Sequence, residues 1–409
     1  MRGCCYALSF LRDFIVTLIE DTLARLNASI ETASSQLIDR KSLVELVFLG
    51  LIAREHLLFI GPPGTAKSAA VRLAAEQVGG RYFEYLIGRF TEPSEIFGPL
   101  DLEALRQGRL QPDVTDMLPQ AELAFLDEIF LGSTAILNTL LGLLNERSYR
   151  RGHFETKVPL RSCVGASNQL PDDPMLQAFA DRFLITLFID PIGDHALESL
   201  LTAGWQFNQR EFSPQADSVP RLSMADIDNL SAQLVLVDMS ACQTPYAHIV
   251  RKLRSRKVPL SDRRIIKGQK LVAAAALVAG RMKAEPADLW PIIYLIQDKA
   301  LQQEARDLLT IELHEASNPA LPQAVKDASF GPAARAKDLQ DYGVTLLGEM
   351  PPRIDKEPFE AWLVKAEAWL TQVDAGFAGN KLPEGLANVR QALVTQSTGA
   401  HDVQHEAAQ

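Results

Sequence analysis

The chain has 409 residues, 47% of them hydrophobic and 22% charged, and its 41 basic against 51 acidic side chains leave a formal net charge of -10. That length exceeds a single small core and predicts two or three packed units, while the apolar content excludes a disordered or fibrous chain. The negative balance excludes a chain-wide electrostatic grip on nucleic-acid phosphates and leaves room only for a local basic groove.

In chain order, the first feature is an apolar stretch over residues 4–19. Arg12 and Asp13 interrupt it and Glu20 bounds it. With charges inside, no small-residue cleavage pattern after it and apolar positions at helical spacing, it predicts an amphipathic helix rather than a leader or a membrane span. From residue 36 to 190, short apolar runs alternate with helical patterns, and the runs at 56–60, 82–87, 123–127, 162–166 and 183–189 predict buried strands. Runs that are apolar on both faces suit a parallel sheet covered by helices on both sides, a doubly wound α/β core. The proline and glycine of Asp190-Pro191-Ile192-Gly193-Asp194 mark its end. Helical periodicity alone follows, clearest over 261–281. The divisions expected are an N-terminal helical extension at 1–35, the α/β core at 36–192, an α-helical unit at 193–313 and a C-terminal extension at 314–409. In that last part, 357–373 predicts an amphipathic helix and the polar end from Gln396 a frayed tail.

The four cysteines, Cys4, Cys5, Cys163 and Cys242, form no CxxC pair, and the seven histidines no HExxH, so a zinc site has no support. Reduced thiols and a cytoplasmic location are the expectation.

The strongest chemical signal is GPPGTAKS, Gly61-Pro62-Pro63-Gly64-Thr65-Ala66-Lys67-Ser68, between the first strand and a helix that continues with Ala69. It fits the phosphate-binding pattern GxxxxGK[ST] except that Ala66 replaces the last glycine. Backbone N–H groups of such a loop surround phosphates, Lys67 reaches the β and γ oxygens, and the Ser68 hydroxyl suits Mg2+. Alanine at position 66 is expected to require a negative φ. The second signal is LAFLDE, an apolar strand ending in Asp127 and Glu128. At a strand end, Asp127 can hold Mg2+ through water and Glu128 can polarise an attacking water. Asn168, ending VGASN, stands where a polar group could fix that water, although asparagine is also a common turn residue.

The ordered set GPPGTAKS, LDE, NER at 145–147, ASN at 166–168 and DRF at 181–183 resembles the MoxR family of AAA+ ATPases, and FEYLIGRFTEPSEIFGPL at 83–100 with SDRR at 261–264 resembles its RavA-like branch. The resemblance spans about residues 36–309. It implies an AAA+ fold: a five-stranded parallel core, a helical lid and a mostly helical C-terminal extension. It also implies ATP and Mg2+ as ligands, Asn168 as the sensor-1 residue, Arg182 as a finger reaching a neighbour's γ-phosphate, and Arg263 as the sensor-2 residue, with Arg264 adjacent enough to compete. Two β-hairpins are implied, near 91–110 and near 147–158. Ile96-Phe97-Gly98 resembles an aromatic pore loop, but local packing is the simpler reading and it is left out of the site.

The activity so implied is ATP hydrolysis by a homo-hexameric, chaperone-like machine that remodels a protein or metalloenzyme complex together with a von Willebrand A-domain partner. The alternative is a nucleic-acid motor or loader, which the acidic charge disfavours. A P-loop kinase fits the finger and lid arginines less well than a ring does.

Overall fold

The computed structural model describes residues 20–109, 111–193, 197–211, 221–329, 332–352, 356–376 and 382–406. The apolar stretch 4–19 expected to be helical lies outside them. Helix α1 (20–34) and helix α2 (Lys41–Ala53) lead into strand β1 (Leu57–Ile60). Helix α3 (Lys67–Val78) and β2 (Tyr82–Leu86) follow, then two short helices, α4 (Pro93–Phe97) and α5 (Leu102–Arg106). Strand β3 (Leu123–Asp127), helix α6 (Thr134–Glu146), strands β4 (Ser148–Arg151), β5 (Phe154–Lys157) and β6 (Ser162–Ser167), helix α7 (Pro174–Ala180) and β7 (Ile185–Phe188) complete the α/β part.

The five strands expected from apolar runs are β1, β2, β3, β6 and β7, and they pair in parallel in the order β2-β3-β6-β1-β7. Period-two alternation explains why both faces are dry. Leu57, Phe59, Leu123, Phe125, Val164, Ala166, Ile185 and Leu187 face a cluster that includes α1, α2 and α3. Leu58, Ile60, Ala124, Leu126 and Cys163 face the opposite cluster with α6 and α7. Cys163 and Cys242 are buried free thiols.

The expected hairpin near 147–158 is the antiparallel β4-β5 pair, with Ser148 opposite Lys157. The one expected near 91–110 is closed at its base by antiparallel hydrogen bonds from Asp101 N to Gln111 O and Asp113 N to Pro99 O, with no named strand among its described residues. It carries α4 and α5 and an isolated bridge between Leu100 and Pro112, and Asp101 caps α5 by accepting from the N–H groups of Glu103 and Ala104 and turns the chain helical.

Beyond β7 the chain is helical: α8 (Leu197–Glu211), α9 (Met224–Gln233), α10 (Ser240–Ser255), α11 (Asp262–Val278), α12 (Lys299–Leu308) and α13 (Pro322–Ser329). Leu271, Val272, Trp290, Tyr294 and Val325 from this region share one continuous cluster with the sheet, so α9 to α13 are packed onto the α/β core. Helices α14 (Pro332–Gly348), α15 (Lys356–Gly376) and α16 (Glu384–Glu406) enclose a second, separate core around Trp362 and Trp369. Both indole N–H groups in it find backbone acceptors, Leu346 O at 2.7 Å and Leu339 O at 3.0 Å. The polar end expected to fray is helical to Glu406 as part of α16; residues 407–409 lie outside the described residues.

Candidate nucleotide site

The carboxyl ends of β1, β3 and β6 converge, which is where open parallel sheets bind ligands. Gly61 leaves β1 with its N–H donating to Ser167 O at 3.1 Å, and a β-carbon there would meet Ile189 O at 2.3 Å, so only glycine fits between the strand ends. Ala66 stands at φ 62°, ψ 26°, in the left-handed region. The expectation of a negative φ is thus wrong. The loop turns as a glycine loop would, and alanine carries a strain of roughly 1–2 kcal/mol. What holds it there is the anchoring of the residue just before it. Thr65 Oγ1 donates to Pro62 O at 2.9 Å, and the buried Arg40 donates through Nε to Thr65 O at 3.0 Å and through Nη2 to Asp190 O at 2.8 Å.

Lys67 is 7% exposed and folds back to donate to Gly61 O at 2.5 Å and Pro62 O at 3.1 Å. Burial lowers its pKa, and the charges of Asp127 and Glu128 at the neighbouring strand end oppose that shift. No side chain caps α3, whose ladder begins with Ala70 N donating to Ala66 O, so its first N–H groups face the loop's mouth. A cradle of uncapped N–H groups with a buried ammonium suits a polyphosphate. Ser68 and Asp127 are the oxygens available for Mg2+. Among the described residues no cluster of three or more potential metal ligands occurs, and a magnesium ion shared with phosphates needs only one or two protein oxygens.

Glu128 turns sharply off β3 at φ 49°, with its N–H donating to Asp127 Oδ1 at 3.0 Å. That turn aims its carboxylate away from Asp127 and toward the next strand end, where Asn168 Nδ2 donates to Glu128 Oε1 at 2.6 Å. The sequence-derived group Lys67, Ser68, Asp127, Glu128 and Asn168 is therefore brought together on one edge of the sheet.

A cleft of about 1200 Å³ opens beside the loop, walled by Pro62 to Ala66 and Ala69 on one side. Leu37, Ile38, Ile192, Leu201 and Trp205 line it further, with the charged Arg40, Arg72 and Glu76 among them, and apart from the break at 190–194 none was given a site role from the sequence. Its apolar lining next to a phosphate loop suits a nucleotide base. The available signals were the proline break at 190–194, read only as a boundary, and Trp205, which is 66% exposed.

The arginines lie elsewhere. Arg182 and the start of α11 sit at the amino ends of the strands. Leu57 pairs with Ile185, so roughly 10 Å of strand separates this edge from the end of β1. Arg264 is 2% exposed and donates to Leu295 O, Phe183 O and Leu184 O at 2.7–2.8 Å. Burial pushes its pKa down to about 10. With its guanidinium fully engaged, Arg264 is a clamp between α11 and the start of β7. Arg263 is half-buried and donates to Asn145 Oδ1 at 2.5 Å; burial, and after it the charge of Arg182, lowers its pKa. Arg182 makes a 3.8 Å contact with Asp181, and its Nε is buried without a hydrogen-bond partner. Phe97 is 1% exposed and stacks on Tyr149, which matches its exclusion from the site.

Comparison with known proteins agrees with this geometry. Residues 24–232 match the model of the MoxR domain in MoxR-vWA-beta-propeller ternary systems, and residues 246–307 match an AAA lid domain. Two uncharacterised proteins of Methanocaldococcus jannaschii are 36% and 35% identical over 63% and 66% of this chain and 68% and 69% of their own lengths. Chaperone MoxR1 of Mycobacterium tuberculosis is 30% identical over 37% of this chain and 40% of its own. A crystal structure from Cytophaga hutchinsonii, assigned as an ATPase, superposes with a TM-score of 0.58 over 73% of this chain and 97% of its own at 14% identity, a likeness of fold. No helix among the described residues is long and apolar enough to cross a membrane. On the family model, which covers half of its length, the chain belongs to the MoxR family of AAA+ ATPases.

Proposed function

We propose that the chain binds ATP with Mg2+ and hydrolyses it as a six-membered ring that remodels or activates a protein client, in concert with a von Willebrand A-domain partner. One observation carries the ring. Lys67, Asp127, Glu128 and Asn168 occupy one edge of the sheet, whereas Arg182 and Arg263 occupy the other, so a single copy holds the two halves of a hydrolytic site apart. Stacking copies edge to edge would bring one copy's arginines to the next copy's phosphate loop.

In that site Lys67 would hold the β and γ oxygens, and Ser68 and Asp127 would hold Mg2+, which when bound would neutralise phosphate charge. Glu128 orients and polarises the attacking water. Asn168, acting as sensor 1, holds Glu128 until a γ-phosphate competes for its amide. Arg182 as the finger and Arg263 as sensor 2 stabilise the charge that develops as the phosphoryl group leaves, a contribution worth ~10³–10⁵ in rate for a finger.

The vWA partner is supported by the printed description of the matching family model, and the chaperone role by the name of the mycobacterial relative. A RavA-like placement within the family rests on residues 83–100 and 261–264 alone. The nucleic-acid alternative is not favoured, given the MoxR match and the net charge of -10.

The test mixes two inactive variants. Arg182→Ala should keep ATP affinity and lose most hydrolysis, and adding Lys67→Ala chains should partly restore it, because intact loops then face intact arginines. With subunit exchange confirmed by labelled chains, no restoration at any mixing ratio would end the shared-site reading.

A further inference from the structure

Helix α6 ends in Asn145-Glu146-Arg147, a run that none of the roles above uses. Arg147 stops the helix at φ 53°, and its Nη2 donates to Arg54 O at 2.9 Å and Arg161 O at 3.2 Å, the backbone just before β1 and β6. Beside it, His56 accepts from Cys163 N at 3.0 Å through Nδ1, and burial and the Arg147 charge hold the ring neutral. The end of α6 is thereby pinned to the amino edge of the sheet. From this fixed point Asn145 Oδ1 accepts the 2.5 Å hydrogen bond from Arg263.

That bond answers a physical problem. Burial and then the Arg182 charge disfavour the charged form of Arg263, and Asp181, 3.8 Å from Arg182, opposes this. Left alone, two long cationic side chains on a half-exposed edge would splay apart and sample many rotamers. A neutral amide oxygen fixes the direction of one guanidinium without neutralising it. A carboxylate at the same place would also fix it, but would pair with the positive charge that a phosphoryl group needs.

We infer that Asn145 is a positioning residue, which holds Arg263 beside Arg182 so that both guanidinium groups reach the neighbouring copy's nucleotide together. This rests on the reading of Arg263 as an arginine acting across the interface. Asn145 is exposed, at the sheet edge away from its own phosphate loop, so its loss should leave ATP affinity and fold unchanged. Misdirecting one transition-state group lowers turnover by roughly tenfold to a hundredfold.

The experiment uses the full chain with ATP and Mg2+, measuring kcat, KM and melting temperature for Asn145→Ala, Asn145→Asp and Arg263→Ala, alone and in mixed rings. Asn145→Ala should lose kcat by that factor with KM and melting unchanged. Asn145→Asp, nearly the same shape, should fold equally well and lose at least as much turnover, because it withholds charge from the neighbour. Mixing Asn145→Ala with Lys67→Ala should restore activity, since the lesions lie on opposite edges. Mixing it with Arg263→Ala should not, since both lesions lie on the arginine edge. A wild-type kcat in Asn145→Ala while Arg263→Ala is inactive would overturn the role of Asn145 alone. Full activity of Arg263→Ala would remove the underlying reading. Restoration between Asn145→Ala and Arg263→Ala would show that Asn145 acts on its own copy's site, which also overturns the proposal.

Discussion

Replacing the two adjacent arginines of α11 with methionine should have opposite consequences. Arg264 is 2% exposed, and three backbone carbonyls, Phe183 O, Leu184 O and Leu295 O, depend on it for donors, with Asp181 Oδ1 3.6 Å away. Charge-assisted bonds of this kind contribute about 1.5–3 kcal/mol each. Burying the guanidinium opposes them, as its depressed pKa of about 10 records. Methionine keeps much of the volume but leaves the carbonyls without donors and Asp181 without this cation. The net loss for Arg264→Met is therefore about 3–5 kcal/mol, the range found when one member of a buried charged network is removed. Arg263 makes a single side-chain hydrogen bond, to the exposed Asn145. Arg263→Met should lower stability by less than about 1 kcal/mol while removing most ATP hydrolysis. Denaturant unfolding followed by circular dichroism, beside steady-state ATPase rates, separates the two. The reasoning fails if Arg264→Met lies within 1 kcal/mol of wild type, or if Arg263→Met unfolds as readily as Arg264→Met.

Two further outcomes follow from strained or buried groups. Because Ala66 holds φ 62°, Ala66→Gly should relieve left-handed strain by more than the extra chain entropy of glycine offsets. A gain of about 1 kcal/mol in the free energy of unfolding is expected, and a loss of stability would refute the assigned backbone. Glu45 on α2 is fully buried and accepts from Gln323 N at 3.3 Å and Ala324 N at 2.6 Å at the start of α13, while burial raises its pKa to about 7. The folded protein thus holds this proton more tightly than the unfolded chain does, so stability falls as pH rises from about 4.5 through 7, by about 3 kcal/mol in all. Thermal melts between pH 5 and 8 should show that slope in wild type and a flatter one in Glu45→Gln. Parallel profiles would exclude Glu45 as its source.

Much of this protein was legible in the sequence because the relevant information is local. A buried parallel strand needs apolar residues on both faces, so β1, β3 and β6 stand out as unbroken runs, and β3 spans the residues expected for it. The phosphate loop, the Asp127-Glu128 pair and Asn168 each follow a strand, and parallel pairing necessarily brings strand ends to one edge. Local signals also misled where anchoring outweighs intrinsic preference. Ala66 accepts a left-handed turn because Thr65, just before it, is tied to Arg40 and to Pro62.

Tertiary structure alone decided the remainder. Gln36 to Ile38 and Trp205 are some 170 residues apart, and only folding walls them into one cleft. Arg263 and Arg264 are indistinguishable by residue type and spacing. Successive residues on a helix point about 100° apart, so when α11 docks on the sheet one guanidinium turns inward to the carbonyls before β7 and the other outward to Asn145. Which arginine is the buried clamp and which faces outward to Asn145 is a property of that docking, and the chain carries it only through the contacts that set the angle of α11.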